Sequence, residues 1–287
     1  MVQAFEIIPP PSTQPWVERI WSISGDTSDD PTPMKQILPD GSVEILFRLA
    51  GSATQIAGVR QTPFSSACVV GQLRAPLSIR LGGMLDWVGV RCRPTGAAAI
   101  LGIPMHELSD RITSLDEIGI DLHTDRLAEC SDMRAKLSMV NSWVHQRLAD
   151  AIERCPIRYA TETILATGGR MSVKQVACET GMSERQLERR FQSLVGVSPK
   201  SLARITRFAR AFNLAQTSAK PDWCRFAARA GYFDQAHLCR DFSLLGGGSP
   251  EQMRSDTSVD RWCSNLDFDR FSADLSAFSN TRALRCA

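Results

Sequence analysis

The 287-residue sequence has little of what metal sites, disulfide frameworks and membrane spans require. It contains four histidines, at positions 106, 123, 145 and 237, so none lies in the first 95 residues. Its nine cysteines are scattered, odd in number and without a C-x-x-C pair. This pattern favours reduced thiols over a disulfide framework or a zinc site. No apolar run approaches the ~18 residues that a membrane-spanning helix needs.

The N-terminal stretch MVQAFEIIPP also lacks the basic and then apolar segments of a secretion signal. We therefore expect a cytoplasmic protein that binds no membrane. The scarcity of histidine argues against a metal-dependent enzyme of the cupin kind, because such barrels hold their metal through clustered histidines. We expect no metal, no cofactor and no catalytic residues, and the length predicts about two domains.

The net charge of +2 is unevenly distributed. The segment from Gly168 to Arg254 contains 14 Lys and Arg but only 7 Asp and Glu, whereas the rest of the chain has 19 basic and 24 acidic residues. One basic segment attached to an acidic remainder is the electrostatic pattern of a protein that binds a polyanion.

Short alternating stretches mark residues 1–95 as β-rich. After the turn LPDG (38–41), every second residue of VEILFRL is apolar, as in a half-buried strand. LSIRL (77–81) and WVGVRCR (87–93) alternate in the same way. We interpret Gly51-Ser52, Gly71 and Gly82-Gly83 as turns between strands, which together predict a small β-barrel or sandwich (cupin-like) that senses a signal or dimerises.

Four aromatic side chains of this region are candidates for the walls of an apolar small-molecule site, the alternative being that they form an ordinary core. They are Trp16, Trp21, Phe47 and Trp87.

Residues 96–155 read as a helical connecting region. The longest predicted helix covers 131–152, with Ser131 as its N-cap. Apolar residues recur along it at helical spacing and predict a stripe that either packs on its own domain or forms a homodimer contact. These residues are Met133, Leu137, Val140, Val144 and Leu148. The final stretch, 255–287, carries no assigned role.

The basic segment contains an internal repeat. Ala177 and Gly181 recur 50 residues later as Ala227 and Gly231, and an SP dipeptide (198–199) recurs at 249–250. Two further apolar residues recur 51 residues later, so the register slips by one residue in the turn after the glycine. These pairs are Leu187 with Leu238 and Phe191 with Phe242. The ordered matches imply a duplicated structural unit.

Each copy has the mechanics of two helices joined by a tight turn. The small Ala177 lets the helices cross closely, Gly181 supplies the left-handed conformation that ends the first helix, and Ser183 caps the second. Asp234 is the matching cap in the second copy. This arrangement, a helix followed by a glycine turn and a capped second helix, predicts a helix-turn-helix unit in each copy.

The stretches ACETGMSERQLERRF…GVSPK and FAARAGYFDQAHLCRDF…GGSP resemble the DNA-binding domain of AraC/XylS-type transcriptional regulators. The resemblance covers about residues 157–254. It implies an all-α domain over 156–254 in which a linker helix, about Pro199–Ala215, joins two helix-turn-helix units. Each unit would place its second helix in one of two successive major grooves of double-stranded DNA. The stretches LPDGSVEILFRL, VVGQL and GVRCRPTGAAAILGIPMHEL are similar to an uncharacterised subgroup of the N-terminal domains in such proteins.

The resemblance also implies site residues. Those expected to face bases are Arg185, Glu188 and Arg189 in the first unit, and Gln235, Ala236 and Arg240 in the second. Those expected to contact phosphates, or to serve in packing, are Lys174, Arg190, Lys200, Arg204, Arg207 and Arg210. Arg204 and Arg207 have the further alternative of being ion-pair partners in the linker helix. An activator would also contact RNA polymerase, and the β-rich domain would take a small effector or dimerise.

Two enzyme alternatives stay open beside the regulator. One is a non-metal cupin-type enzyme fused to the DNA-binding domain. The other is a DNA-repair alkyl-transfer protein, whose chemistry needs an activated thiolate. Cys68, the first cysteine, stands in the apolar stretch SSACVV, which disfavours that role.

Overall fold

The computed structural model describes residues 3–28, 34–120, 124–149, 155–216, 218 and 221–256. Its first part is an antiparallel β-sheet and its second part is helical, so the predicted α+β class is confirmed. The strands are β1 (Gln3–Ile7), β2 (Val17–Asp26), β3 (Met34–Ile37), β4 (Val43–Ala57), β5 (Arg60–Pro63), β6 (Ala67–Val70), β7 (Leu77–Cys92) and β8 (Ile112–Ser114). They form one sheet in the order β1-β2-β7-β4-β6-β8, with β3 on β7 and β5 on β4.

The dipeptides Gly51-Ser52 and Gly82-Gly83 lie inside the two longest strands rather than between strands, so the turns predicted there are wrong. Ser52 of β4 pairs with Gly82 of β7, and the register of this ladder shifts just before them. Gly51 and Gly83 both have φ of +79°. Glycine is the residue that tolerates this conformation at a bulge, so the glycines bend two continuous strands together.

The two faces of the sheet support separate apolar clusters. Val43, Ile45 and Phe47 of β4 lie on the predicted face and pack with Val88 and other residues of β7 in one cluster. Trp21, Leu46 and Trp87 belong to the opposite cluster. Because side chains alternate along a strand, a single set of strands supplies both cores.

The stretch predicted to be a helical connecting region, 96–155, also contains strand β8. This strand pairs with β6, so the sheet extends beyond residue 95. The helices here are α1 (Gly96–Leu101), α2 (Thr124–Glu129) and α3 (Met133–Arg147). Helix α3 is capped by Asp132, whose side chain accepts from the main-chain N–H of Ala135 at 3.2 Å, so Ser131 is not the cap. We call the described residues 3–149 the β-domain.

The apolar stripe of α3 packs on its own domain. Leu137, Val140 and Val144 join the cluster that contains Phe47, and Trp143 meets the Phe47 ring edge-on at 5.6 Å between centroids. Lys136 is buried in the same interface and its Nζ lies 2.6 Å from Asp86 Oδ2 on β7. The stripe therefore has the packing role rather than the dimerisation role.

Seven helices follow, and we call the described residues 155–256 the helical domain. They are α4 (Pro156–Ala166), α5 (Val173–Glu179), α6 (Glu184–Leu194), α7 (Pro199–Gln216), α8 (Trp223–Ala230), α9 (Gln235–Asp241) and α10 (Pro250–Ser255). A π-helical turn, Phe242–Gly246, continues α9. Helix α7 agrees with the predicted linker helix. Beyond residue 256, the final stretch lies outside the described residues.

The two domains are in direct contact. The Arg158 guanidinium stacks over the Trp16 ring at 5.5 Å. Leu38, in the segment between β3 and β4, belongs to the apolar cluster formed by α7, α8 and α9, which also contains Phe208 and Phe242. A loop of the β-domain therefore completes a core of the helical domain.

Within the part of the chain that the structure describes, no helix combines the length and apolarity that crossing a membrane requires.

Candidate DNA-binding surface

The first unit consists of α5 and α6. Gly181 ends α5 with φ of +65°. Ser183 then caps α6, accepting from the N–H of Gln186 at 3.2 Å, while the Gln186 side chain accepts from the Ser183 N–H at 3.0 Å. This reciprocal pair is a capping box, which holds the first turn of the helix. Leu187 and Phe191 are fully buried and fix the inner face of α6.

The second unit, α8 and α9, repeats this plan. Gly231 ends α8 with φ of +85°, and Asp234 caps α9, where its Oδ1 accepts from the N–H of His237 at 2.7 Å. Leu238 and Phe242 are fully buried, as their counterparts are in the first unit. The predicted duplication therefore holds for the turn, the cap and the buried face.

The two turns differ by one exposed aromatic residue. The N–H of Met182 donates to Ala177 O at 3.0 Å, and the N–H of Tyr232 donates to Ala227 O at 2.9 Å, which makes Met182 and Tyr232 equivalent. The cap follows at once in the first unit, whereas Phe233 intervenes in the second. Phe233 is 95% exposed. The one-residue slip in the repeat indicates an extra turn residue, but it does not indicate that the residue is an exposed phenylalanine.

All residues expected to face bases lie on the exposed sides of α6 and α9. Arg185, Glu188 and Arg189 are exposed on α6, and Arg185 and Arg189 are one helical turn apart. On α9, Gln235, Ala236 and Arg240 are exposed. Counting from the caps, Arg185 corresponds to Ala236 and Arg189 to Arg240. The Cys224 thiol of α8 donates to Gln235 Oε1 at 3.1 Å and orients that amide.

Two of the arginines considered for phosphate contact are engaged inside the helical domain. Arg204 Nε donates to Oδ1 of the buried Asp241 at 2.6 Å, which ties α7 to α9. Arg207 Nη1 donates to Gly169 O at 2.5 Å, and its guanidinium lies over the Tyr232 ring. These contacts agree with the alternative that both residues hold the linker helix in place. Arg210, on the same helix, is half-buried.

The remaining phosphate candidates, Lys174, Arg190 and Lys200, are exposed. Their role stays a prediction.

Two family models match the chain. One is a domain of unknown function, DUF6597, over residues 5–114, and the other is a helix-turn-helix domain over residues 176–256, which spans both units. The chain carries an AraC-type helix-turn-helix domain. It is a DNA-binding transcriptional regulator, and its AraC-type domain is that of regulators rather than of enzymes.

The chain also matches solved structures over most of its length at low sequence identity. ToxT from Vibrio cholerae shares 9% sequence identity, with 88% of this chain and 97% of that chain covered and a TM-score of 0.45. The AraC-like transcriptional activator CuxR shares 13% identity, with 76% and 96% covered and a TM-score of 0.24. A comparison with curated protein sequences gives no match.

The β-domain contains a cavity of about 80 Å³. Of the four aromatic residues considered as its walls, Trp21 and Trp87 line it, whereas Trp16 and Phe47 belong to the core on the other face of the sheet. Gly89 lies opposite Trp21 on the neighbouring strand, and a Cβ atom there would fall on the indole ring. The glycine therefore makes the room that the Trp21 ring occupies.

The geometry of Cys68 is unsuited to alkyl transfer. The residue is buried on β6, and burial raises the pKa of its thiol to about 12. A nucleophilic cysteine needs the opposite shift, because the thiolate is the reactive form.

Proposed function

We propose that the chain reads DNA with α6 and α9 in two successive major grooves on one face of the duplex. The observation that supports this most directly is the repeated plan of the two units, one of which precedes α7 in the chain and one of which follows it. In each unit, the second helix is capped, buries its apolar residues and exposes a polar face. The 18-residue α7 is about 27 Å long. Two major grooves on one face of DNA are about 34 Å apart, a distance comparable to the length of this linker.

In this arrangement, Arg185 and Arg189 would read guanine edges and Gln235 an adenine edge, since their paired donors and acceptors fit those bases in the major groove. The second unit presents the small Ala236 where the first has Arg185. We therefore propose that the first unit supplies more of the base discrimination and the second more of the positioning.

Phe233 joins this surface in our proposal. It precedes the cap of α9 and has no apolar neighbour to cover it, since 95% of its surface is exposed. At the edge of a major groove, its ring would pack on a thymine methyl group or on a sugar.

The experiment that tests this function is selection of bound sites from a random DNA pool by the full chain, followed by footprinting. The proposal predicts one site with two protected segments about 10 bp apart. A single protected segment that survives disruption of the second unit would contradict the two-groove arrangement.

Finer roles belong to the same proposal. We propose activation through contact with RNA polymerase, on the family resemblance, and a small effector in the β-domain, on its cavity. Transcription in vitro from a promoter that carries the selected site distinguishes activation from repression. A homodimer would have to use a surface other than the buried stripe of α3, and sedimentation of the full chain tests for it.

A further inference from the structure

The β-domain cavity has apolar walls. The cavity is lined by the rings of Trp21 and Trp87, together with Phe64, Leu46 of β4 and Leu85 of β7. The Trp87 indole N–H donates a hydrogen bond to Ala50 O at 3.0 Å, so this ring presents its carbon surface to the cavity. Apolar walls of this kind favour the apolar body of a small ligand.

One end of the cavity is charged. Arg91, Asp40 and Glu44 line it, and Arg91 is fully buried. The Arg91 guanidinium pairs with Asp40, with Glu44 Oε1 at 2.8 Å and with Glu18 Oε2 at 3.3 Å. Three carboxylates therefore share one guanidinium. Of these carboxylates, Asp40 and Glu44 line the cavity, so its charged lining has one more acidic than basic group.

The carboxylate oxygens at this end retain the capacity to accept another donor. Glu44 Oε2 accepts the Trp21 indole N–H at 3.0 Å, and Asp40 Oδ1 accepts the Ser42 N–H and O–H at 2.9 and 2.6 Å. An ionised carboxylate has about four acceptor positions. Burial raises the pKa of Glu44 despite Arg91 beside it, because removal from water disfavours the ionised carboxylate, and the nearby Asp40 raises it further.

We propose that this cavity binds a small ammonium ion with an apolar body, that is, a protonated short-chain primary amine. Its N–H donors would meet Asp40 and Glu44, and its hydrocarbon would lie between Trp21 and Trp87. Indole faces attract cations as well as hydrocarbon. Carboxylate ligands would instead face the excess negative charge. This inference names the effector class of the function proposed above, and its meaning for regulation rests on that function.

The size of the cavity limits the ligand. An apolar cavity of about 150 Å³ holds benzene, so a space of about 80 Å³ suits a body of roughly three or four carbon atoms. Butylammonium is therefore a fitting probe.

The wall of the cavity is also the contact with the helical domain. Leu38 lines the cavity and belongs to the core of α7, α8 and α9. Three residues later, Gly41 lies against Leu202 of α7, where an added Cβ would be 3.1 Å from Cδ1. Gln72 holds this loop by donating to Gly41 O at 2.6 Å. A ligand that moves Asp40 thus acts on the loop that completes the second unit, so occupancy changes DNA affinity.

Calorimetric titration of the full chain tests the binding. Butylammonium is compared with butan-1-ol and butanoate, which have bodies of similar length but no charge or the opposite charge. We expect butylammonium to bind at least about tenfold more tightly than butan-1-ol, since a hydrogen bond to a charged group contributes about 1.5–3 kcal/mol. Butanoate binding as tightly as butylammonium, or no butylammonium binding, would overturn the proposal.

Two variants locate the site. Glu44→Gln should weaken butylammonium binding about tenfold or more, whereas Glu129→Gln, on the exposed surface of α2, should leave it unchanged. Leu73→Phe adds volume at the cavity wall without changing a charge, and it should weaken butylammonium and butan-1-ol alike. Unchanged binding in both Glu44→Gln and Leu73→Phe would place the amine elsewhere and overturn the assignment.

The effect of the amine on DNA binding is tested by measuring affinity for the selected site in butylammonium chloride and in the same concentration of sodium chloride. The salt concentrations are matched because DNA binding depends on ionic strength. A change in DNA affinity that the Glu44→Gln variant lacks supports the coupling. Amine binding without such a change overturns the coupling. Absence of DNA binding in sodium chloride counts against the proposed function alone, since calorimetry still decides whether the cavity binds the amine.

Discussion

Ser109 Oγ donates a 2.7 Å hydrogen bond to the main-chain carbonyl of Gly196. The contact joins the β-domain to the residue that follows α6 closely in the chain. Gly196 has φ of +90°, and a Cβ there would lie 2.7 Å from Ser109 Oγ and 2.9 Å from Met105 O. The end of α6 is thus packed directly against the β-domain.

This packing predicts that Gly196→Ala destabilises the full chain more than Gly181→Ala does. Both positions are left-handed, which costs alanine about 1–2 kcal/mol. Gly181 has open space around it, whereas Gly196 faces the backbone of Met105. Urea unfolding should show the larger loss for Gly196→Ala. Equal losses for the two variants would show that the β-domain does not press on this residue.

Arg204→Met should lower the free energy of unfolding by about 1–3 kcal/mol, because it leaves the buried Asp241 carboxylate without its charged donor. Arg204 is partly exposed, so the loss should fall short of that for a fully buried pair. Arg190→Met, at an exposed residue of α6, is the control and should leave the urea midpoint nearly unchanged. A midpoint in Arg204→Met equal to that of the wild type would contradict the structural role of the pair.

Arg189→Ala should cost about 1–3 kcal/mol in binding to the selected site and relax the base preference there. Arg190→Ala should weaken binding by a similar factor on every sequence, as expected for a phosphate contact. Both effects are measured by titration against the selected site and against single-base variants of it. A uniform loss for Arg189→Ala would reassign that side chain to the DNA backbone.

Phe233→Ser should weaken DNA binding without lowering stability, because the ring is exposed in the free protein. We expect a loss of a few-fold, on the order of 1 kcal/mol, for a single apolar contact at the groove edge. Val59→Ser removes an equally exposed apolar side chain from the β-domain and serves as the control. If both variants bind DNA like the wild type, Phe233 lies off the DNA surface.

Stability should depend on pH through Glu44. Burial raises the pKa of this carboxyl above its ordinary value of 4.5, so the folded state holds the proton more tightly than the unfolded state. The stabilising contribution is complete below pH 4.5 and is lost as the pH rises through the raised pKa. Glu18, Asp40 and Arg91 face the same group. Urea midpoints between pH 4 and 8 should therefore fall more in the wild type than in Glu44→Gln, and parallel curves would refute the assignment.

The repeated unit could be predicted from sequence because its determinants are local. Helical spacing places Leu187 and Phe191 on the buried face, and Ser183 and Asp234 are recognisable as caps from the residues beside them. A cap or an i, i+4 pair depends on neighbours within one turn, so the chain order alone carries the information.

Other features depend on contacts that chain order does not contain. Gly51 and Gly83 bend paired strands, yet a glycine with positive φ occurs in turns and bulges alike. Leu38 is apolar like any core residue of a strand, and it belongs to a cluster with Phe208, which is 170 residues away in the chain. Phe233 is exposed although its chemistry favours burial.

The most direct measurement of the central claim is footprinting of the full chain on the site that it selects from random DNA, at two salt concentrations. The account predicts two protected segments about 10 bp apart, lost one at a time when Leu187→Asp or Leu238→Asp places an unpaired charge in the core of one unit. It also predicts that affinity falls steeply as salt rises. Protection of a single segment that both variants leave intact, with affinity independent of salt, would contradict it.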